Sequence, residues 1–203
     1  MIEIFLLRHA ETIWDSSLVS GRTENLSLSD EGIVHSLSIG RILRKQGFLV
    51  DKIYCSSSLR TKQSLLGLKE AGLWKDTPII YSDSLQEVSQ GEWEGKERRC
   101  VMTERVIAEM RIKGVCFMPP GGEAQKDAAE RIYNYIAENI LNSNLQKVMV
   151  VGHANLFRCL MYRILGFHEI MINKIGFDNL SLTKLRFGED GFWRLDYLNR
   201  IVS

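Results

Sequence analysis

The chain is poor in the features that mark several large protein classes. It has no apolar run approaching the ~20 residues of a membrane-spanning helix, and with no basic, then apolar, then small-residue pattern ahead of Ile4 a secretory signal is not expected. Its four cysteines, Cys55, Cys100, Cys116 and Cys159, are scattered without C-x-x-C or metal-finger spacing, which argues against a disulfide scaffold or a structural zinc site. Cys55 and Cys159 lie among apolar residues and are expected to be small core groups. Charge of one sign is also lacking: 26 basic residues against 25 acidic ones give a formal net charge of +1. No bulk field therefore draws the surface to nucleic acid or to a membrane, and any attraction for anions must be local. No G-x-x-x-x-G-K-[ST] loop, glycine fingerprint after a strand, Asp/Glu/His set at metal-ligand spacing, internal repeat or low-complexity segment is present. A reduced, cytoplasmic protein is the expectation, with no metal and no cofactor.

What is present is an alternation of short apolar runs and amphipathic stretches. With 203 residues, 45% hydrophobic and 25% charged, the chain fits one domain, 1–203, with a sizeable core. Ile4 to Leu7 reads as a buried strand running into Arg8-His9-Ala10-Glu11-Thr12. Trp14 to Leu28 reads as a long functional loop. Ser29 suits an N-cap for a helix carrying Ile33, Leu37, Gly40 and Leu43, stopped near Gly47. A strand over Lys52–Cys55 meets the cap-forming Ser56-Ser57-Ser58, which places Arg60 in the first turn of the next helix. Pro78 to Tyr81 predicts a third strand, and Leu85 to Gly95 a structured loop containing Glu87. Lys96 to Lys113 reads as one helix with a solvated basic face, and Pro119-Pro120-Gly121-Gly122 as a linker or lid hinge. A helix over Glu123–Leu141 buries Ala128, Ile132, Tyr135 or Ile136, and Ile140. Lys147 to Val151 is the clearest buried strand, followed by Gly152-His153-Ala154-Asn155 and an apolar helix over Leu156–Leu165. Leu180–Phe187 and Phe192–Tyr197 predict a hairpin. The fold class is α/β with a mostly parallel sheet and an antiparallel part.

Three strand ends thus carry Arg8-His9, Arg60 and His153. Ligands of open α/β sheets sit beyond the carboxyl ends of the strands. If these strands are neighbours, two arginines and two histidines converge, and such a cluster repels itself unless an anion occupies its centre. Phosphate matches the guanidinium fork.

Leu7-Arg8-His9-Ala10-Glu11-Thr12 resembles the RHG signature of the histidine phosphatase superfamily, the phosphoglycerate-mutase-like family. The resemblance continues in order through Gly21-Arg22-Thr23, Leu28 to Gly32, Ser56 to Gln63, Leu85-Gln86-Glu87, Gly91 to Gly95, Pro120 to Glu123 and Val150 to Asn155. It implies a three-layer α/β/α sandwich, with His9 as the nucleophile that becomes phosphohistidine. Arg8, Arg60 and His153 would hold the phosphoryl oxygens, and Glu87 would act as general acid and then base. Asp15, Gly21, Arg22, Thr23 and Asn155 would line the phosphate or substrate site. His9 must attack as the neutral imidazole, and the adjacent arginines help keep it so.

The departures from the pattern are Ala10 and Ala154 at common glycine positions, Asp15 where asparagine is frequent, and a Gly21–Leu28 segment one residue longer than usual. A glycine-only backbone angle at Ala10 would be strained, and a carboxylate at Asp15 would repel substrate unless Arg22 or another cation neutralises it. The implied activity is metal-independent hydrolysis of a phosphorylated small molecule or phosphoprotein. The alternatives are a cofactor-dependent phosphoglycerate mutase, against which the chain reads as short, and a non-catalytic phospholigand-binding adaptor. Phe167–Phe177 would be a dimer edge or pack on its own chain, leaving the oligomeric state open.

Overall fold

In β1 (Ile2–Arg8), Ile2, Ile4 and Leu6 enter one apolar cluster while Phe5 and Leu7 enter another. That alternation suits a strand covered on both faces. The computed structural model describes residues 1–23 and 25–202. The further strands are β2 (Lys52–Ser56), β3 (Ile79–Ser82), β4 (Lys147–Gly152), β5 (Leu182–Phe187) and β6 (Trp193–Arg200). Among the described residues they form one six-stranded sheet in the order β3-β2-β4-β1-β5-β6. The first four run parallel, whereas β5 lies antiparallel to β1, and β6 to β5, as the hairpin pattern predicts.

One face of the sheet is covered by α1 (Asp30–Lys45) and α2 (Leu59–Glu70), whose Leu43, Leu65 and Leu68 pack on Ile53, Cys55, Met149 and Val151. The other is covered by α5 (Gln125–Ile136) and α6 (Ala154–Leu165), whose Ile132, Ile136, Phe157 and Leu160 pack on Tyr54, Val148, Val150 and Leu185. The result is the three-layer sandwich. Each such fully buried side chain contributes about 1.5–3 kcal/mol. Burial also pushes the Cys55 thiol up to about 12 and raises Cys159, so both are inert core groups.

Ser29 caps α1 by accepting from the Gly32 amide at 3.0 Å. The buried stripe of α1 is Gly32, Ser36, Gly40 and Leu43, and Ile33 faces solvent. Small residues displace the expected apolar ones because α2 approaches closely: a Cβ on Gly40 would lie 2.9 Å from the Leu68 backbone.

The Lys96–Lys113 segment is two helices, α3 (Arg98–Val101) and α4 (Glu104–Lys113). Thr103 restarts the second by accepting from the Val106 amide, so a local cap overrides continuous helical propensity. The last turn of α5 widens into a π-helical turn over Ala137–Leu141.

Pro119–Gly122 is a tied turn rather than a free hinge. Glu92 N–H donates to Pro120 O at 2.9 Å, and Glu123 N–H donates to Ser89 O at 3.0 Å. Gly91, at φ +52°, packs so closely that a Cβ there would lie 2.2 Å from Pro120 O. In the Phe167–Phe177 stretch, Ile172 and Phe177 are buried against their own chain, while Ile170 and Met171 are exposed. Among the described residues no helix is long and apolar enough to cross a membrane.

Candidate active site

The sheet order makes β2, β4 and β1 consecutive neighbours. Arg8 pairs in register with Gly152, and Cys55 with Val151, so the three carboxyl ends finish at one level. His9 and His153 follow directly, their ring centroids 5.3 Å apart. Arg60, on the first turn of α2, reaches the same place: its Nε donates to His153 Nδ1 at 3.3 Å. The groups are nearly enclosed, with residue exposures of 8% for His9, 3% for Arg60, 0% for His153 and 7% for Glu87.

Two tautomers follow from these partners. His9 Nδ1 lies 2.7 Å from Ala10 O, a carbonyl that only accepts, so Nδ1 carries the proton and Nε2 keeps its lone pair. His153 Nδ1 faces the Arg60 Nε–H, which only donates, so the His153 proton sits on Nε2 and is given to Ser56 Oγ at 2.9 Å. Burial, then the Arg60 and Arg8 charges, push His9 down to about 3. Burial followed by Arg60 likewise holds His153 well below its ordinary value. Both rings are neutral at neutral pH.

Burial also lowers the guanidinium pKa of Arg8 and Arg60, opposed in both cases by the Glu87 carboxylate. Arg8 Nη1 donates to Phe177 O at 2.5 Å, but its buried Nε finds no partner among the described residues. A buried donor without an acceptor is costly, and an anion between Arg8 and Arg60 would satisfy it.

Glu87 sits at the amino end of α6. Its Oε1 accepts from Val88 N–H and Leu156 N–H, both at 2.9 Å, and Oε2 accepts from Asn155 N–H at a longer 3.2 Å. The carboxylate thereby satisfies amides that α6 leaves unpaired, and Oε2 is its less engaged oxygen.

The loop residues divide. Gly21 O and Thr23 O accept from the Arg60 guanidinium at 3.0 and 3.5 Å, and the Thr23 hydroxyl turns to Ser20 O. Arg22 donates from Nε to Glu87 O at 2.7 Å and from Nη2 to Glu123 at 2.8 Å. Asn155 donates its backbone N–H to Glu87, and its side-chain oxygen accepts from Arg158 Nη1. Asp15 is not brought in: it is solvent-exposed, and its carboxylate accepts from the Ser17 amide at 2.8 Å. Arg22 thus meets Glu123 and not Asp15. Ala10 has no positive φ, so alanine costs nothing there.

Sequence reasoning missed three supports. Ser64 Oγ accepts from Ala10 N–H at 2.8 Å and donates to Arg60 O at 2.7 Å, joining the His9 turn to α2. Asn179 Nδ2 donates to His9 O at 2.8 Å. Ser56, read only as part of a cap cluster, orients His153. The position of Ser56 at the end of β2 was a usable signal; the other two carried none.

The buried neutral rings predict how stability changes with pH. On unfolding, His9 regains its ordinary value near 6.5, so between pH 6.5 and 3 the unfolded chain binds a proton that the folded one refuses. Stability therefore falls as pH drops through that window. By pH 4 the His9 share is about 3 kcal/mol at ~1.36 kcal/mol per pH unit. Melting temperatures measured from pH 7 to 4 should fall less steeply in His9→Ala than in the wild type; parallel curves would mean that folded His9 is protonated.

The sequence pattern of the histidine phosphatase superfamily (branch 1) matches residues 4–201. The 2,3-bisphosphoglycerate-dependent phosphoglycerate mutase of Methylobacterium radiotolerans is 27% identical over 175 residues, covering 83% of this chain and 82% of that protein. Mycobacterial glucosyl-3-phosphoglycerate phosphatase superposes with a TM-score of 0.84 at 22% identity, covering 98% of this chain and 99% of that one. The α-ribazole phosphatase of Shigella flexneri gives 0.82 at 21% identity, with 98% and 96% covered.

Proposed function

The chain belongs to the histidine phosphatase superfamily, and on that premise we propose that it is a phosphatase, working as one domain, that hydrolyses a phosphomonoester through phosphohistidine on His9. The observation that carries this reading is the His9 tautomer: a neutral ring that faces Ala10 O with Nδ1, which leaves the lone pair on Nε2, and that sits beside His153 within the field of Arg8 and Arg60. Nε2 attacks phosphorus as the bond to the leaving oxygen breaks, and Glu87, entering this step in its carboxylic-acid form, gives that oxygen its proton and is left as the carboxylate. Water then attacks the phosphohistidine, Glu87 takes the proton, and the N–P bond breaks. The covalent step divides one hard displacement into two easier ones. The arginines stabilise charge on the transferring group, which is where phosphoryl transfer gains most of its rate.

A mutase reading is favoured by the 27%-identical relative. Chain length does not argue against it, because 175 aligned residues already make up 82% of that mutase. Cation supply does. A bisphosphate needs further positive groups beside Arg8 and Arg60. Arg22 and Arg131 are committed to Glu123 and to backbone carbonyls, and Arg158 to Asn155 and Ile175 O. Of the buried and half-buried cations at the site this leaves Arg8 and Arg60, which suit one phosphoryl group, and a second would have to be met by the exposed Arg98 and Arg99, whose segment runs beside Ser16 and Ser17.

The test is inorganic phosphate release from p-nitrophenyl phosphate, phosphoserine and 3-phosphoglycerate with EDTA present, set beside interconversion of 3- and 2-phosphoglycerate primed with 2,3-bisphosphoglycerate. Release that survives chelation and exceeds interconversion is expected. Interconversion faster than release would make the protein a mutase.

A further inference from the structure

Glu123 lies outside the reacting groups, yet it is bound more tightly than a surface carboxylate. Its Oε1 accepts from Arg131 Nε at 2.7 Å, and its Oε2 from Arg131 Nη2 and Arg22 Nη2, both at 2.8 Å. Only 16% of its side chain is exposed. The two arginines come from distant parts of the chain, and each has a second task on the same short segment. Arg131 Nη1 donates to Ser84 O at 2.7 Å and to Gln86 O at 3.0 Å, while Arg22 Nε donates to Glu87 O at 2.7 Å. Two guanidinium groups therefore grip the backbone at 84, 86 and 87, and the carboxylate between them offsets their mutual repulsion.

We infer that Glu123, with Arg131, is a positioning residue for Glu87, holding the carboxyl at the distance from the leaving oxygen at which it transfers a proton. The inference rests on the reading of Glu87 as general acid and goes beyond it. Glu123 itself is fixed by its amide to Ser89 O, through the Pro119–Gly122 turn that packs on Gly91. Without the Glu123 charge, Arg22 and Arg131 repel, and the Glu87 backbone loses the donor that aims it. A misplacement of about 1 Å at a reacting group costs up to about 100-fold in rate.

The consequence is specific to leaving groups that need a proton. Values of kcat/KM, which report transfer to His9, are compared for 2,4-dinitrophenyl phosphate and for phosphoserine in wild type, Glu87→Gln, Glu123→Gln and Arg131→Lys. Glu123→Gln keeps shape and an acceptor, and Arg131→Lys is the second variant should the first fail to fold. The expected result is a loss of about 10- to 100-fold on phosphoserine, with less than about threefold on the dinitrophenyl ester, in both brace variants. Equal loss on both substrates, or none on either, while Glu87→Gln discriminates between them, overturns the brace and leaves Glu87 as the acid. No discrimination in Glu87→Gln overturns the acid assignment itself, and the brace with it.

Discussion

Replacing His9 with alanine is expected to lower phosphomonoester turnover by about 10⁴-fold or more while leaving the protein folded. His9 enters none of the apolar clusters that bind the sheet to its helices. Among the described residues its ring bonds only to the neighbouring Ala10 O, so the change removes little packing. What it does remove is the lone pair on which the covalent route depends. The loss should fall on kcat for every substrate regardless of leaving group, unlike that of Glu87→Gln. Briefly mixing wild-type protein with a ³²P-labelled substrate and quenching in base should leave label on the protein, because the N–P bond survives base and breaks in acid. His9→Ala should carry none. A variant that still turns over, or that still takes the label, would place the nucleophile elsewhere.

The parts of this site that could be read from the sequence are those in which chemistry and local pattern coincide. Arg8-His9 and His153 each end an apolar run, and Arg60 follows a serine cluster at another; periodicity gave their settings and composition gave the charge. The tautomers were not readable in this way, because they depend on which atom meets each ring nitrogen, and those partners are Ala10 O, Arg60 Nε and Ser56 Oγ. Ser64 and Asn179 were invisible for a related reason: each acts on a backbone group far away in the chain, and such bonds leave no spacing rule. Asp15 misled in the opposite direction. Its place in the order of motifs put it by the phosphate, whereas a two-residue turn to Ser17 keeps its carboxylate in solvent. The helix boundaries that moved, at Thr103 and at Ala137, did so through a cap and a widened turn, which are local contests that propensity alone does not decide.

Arg60→Lys should lower kcat/KM by about 10²- to 10³-fold, the usual cost of losing one preorganised donor to a developing anion. Lysine keeps the charge, so a site that needed only a positive field would tolerate the change. Arg60 supplies more than a field. Its Nη2 donates to Gly21 O at 3.0 Å and its Nε to His153 Nδ1 at 3.3 Å, so the plane of the guanidinium is fixed by the loop on one side and an imidazole on the other. An ammonium on a flexible stem does not reproduce that fork. It also releases His153 Nδ1 from its only donor among the described residues, leaving the proton on Nε2 no longer enforced. Binding of orthovanadate, which takes the five-coordinate geometry of the transferring phosphoryl group, should weaken by more than binding of inorganic phosphate, since the fork is matched to the transition state. The fold should persist because Arg8 and Arg60 repel each other when no anion separates them, and the substitution leaves the remaining charge freer to move away. Retention of activity within about threefold of wild type, or equal weakening for vanadate and phosphate, would mean that Arg60 serves the site only through its charge.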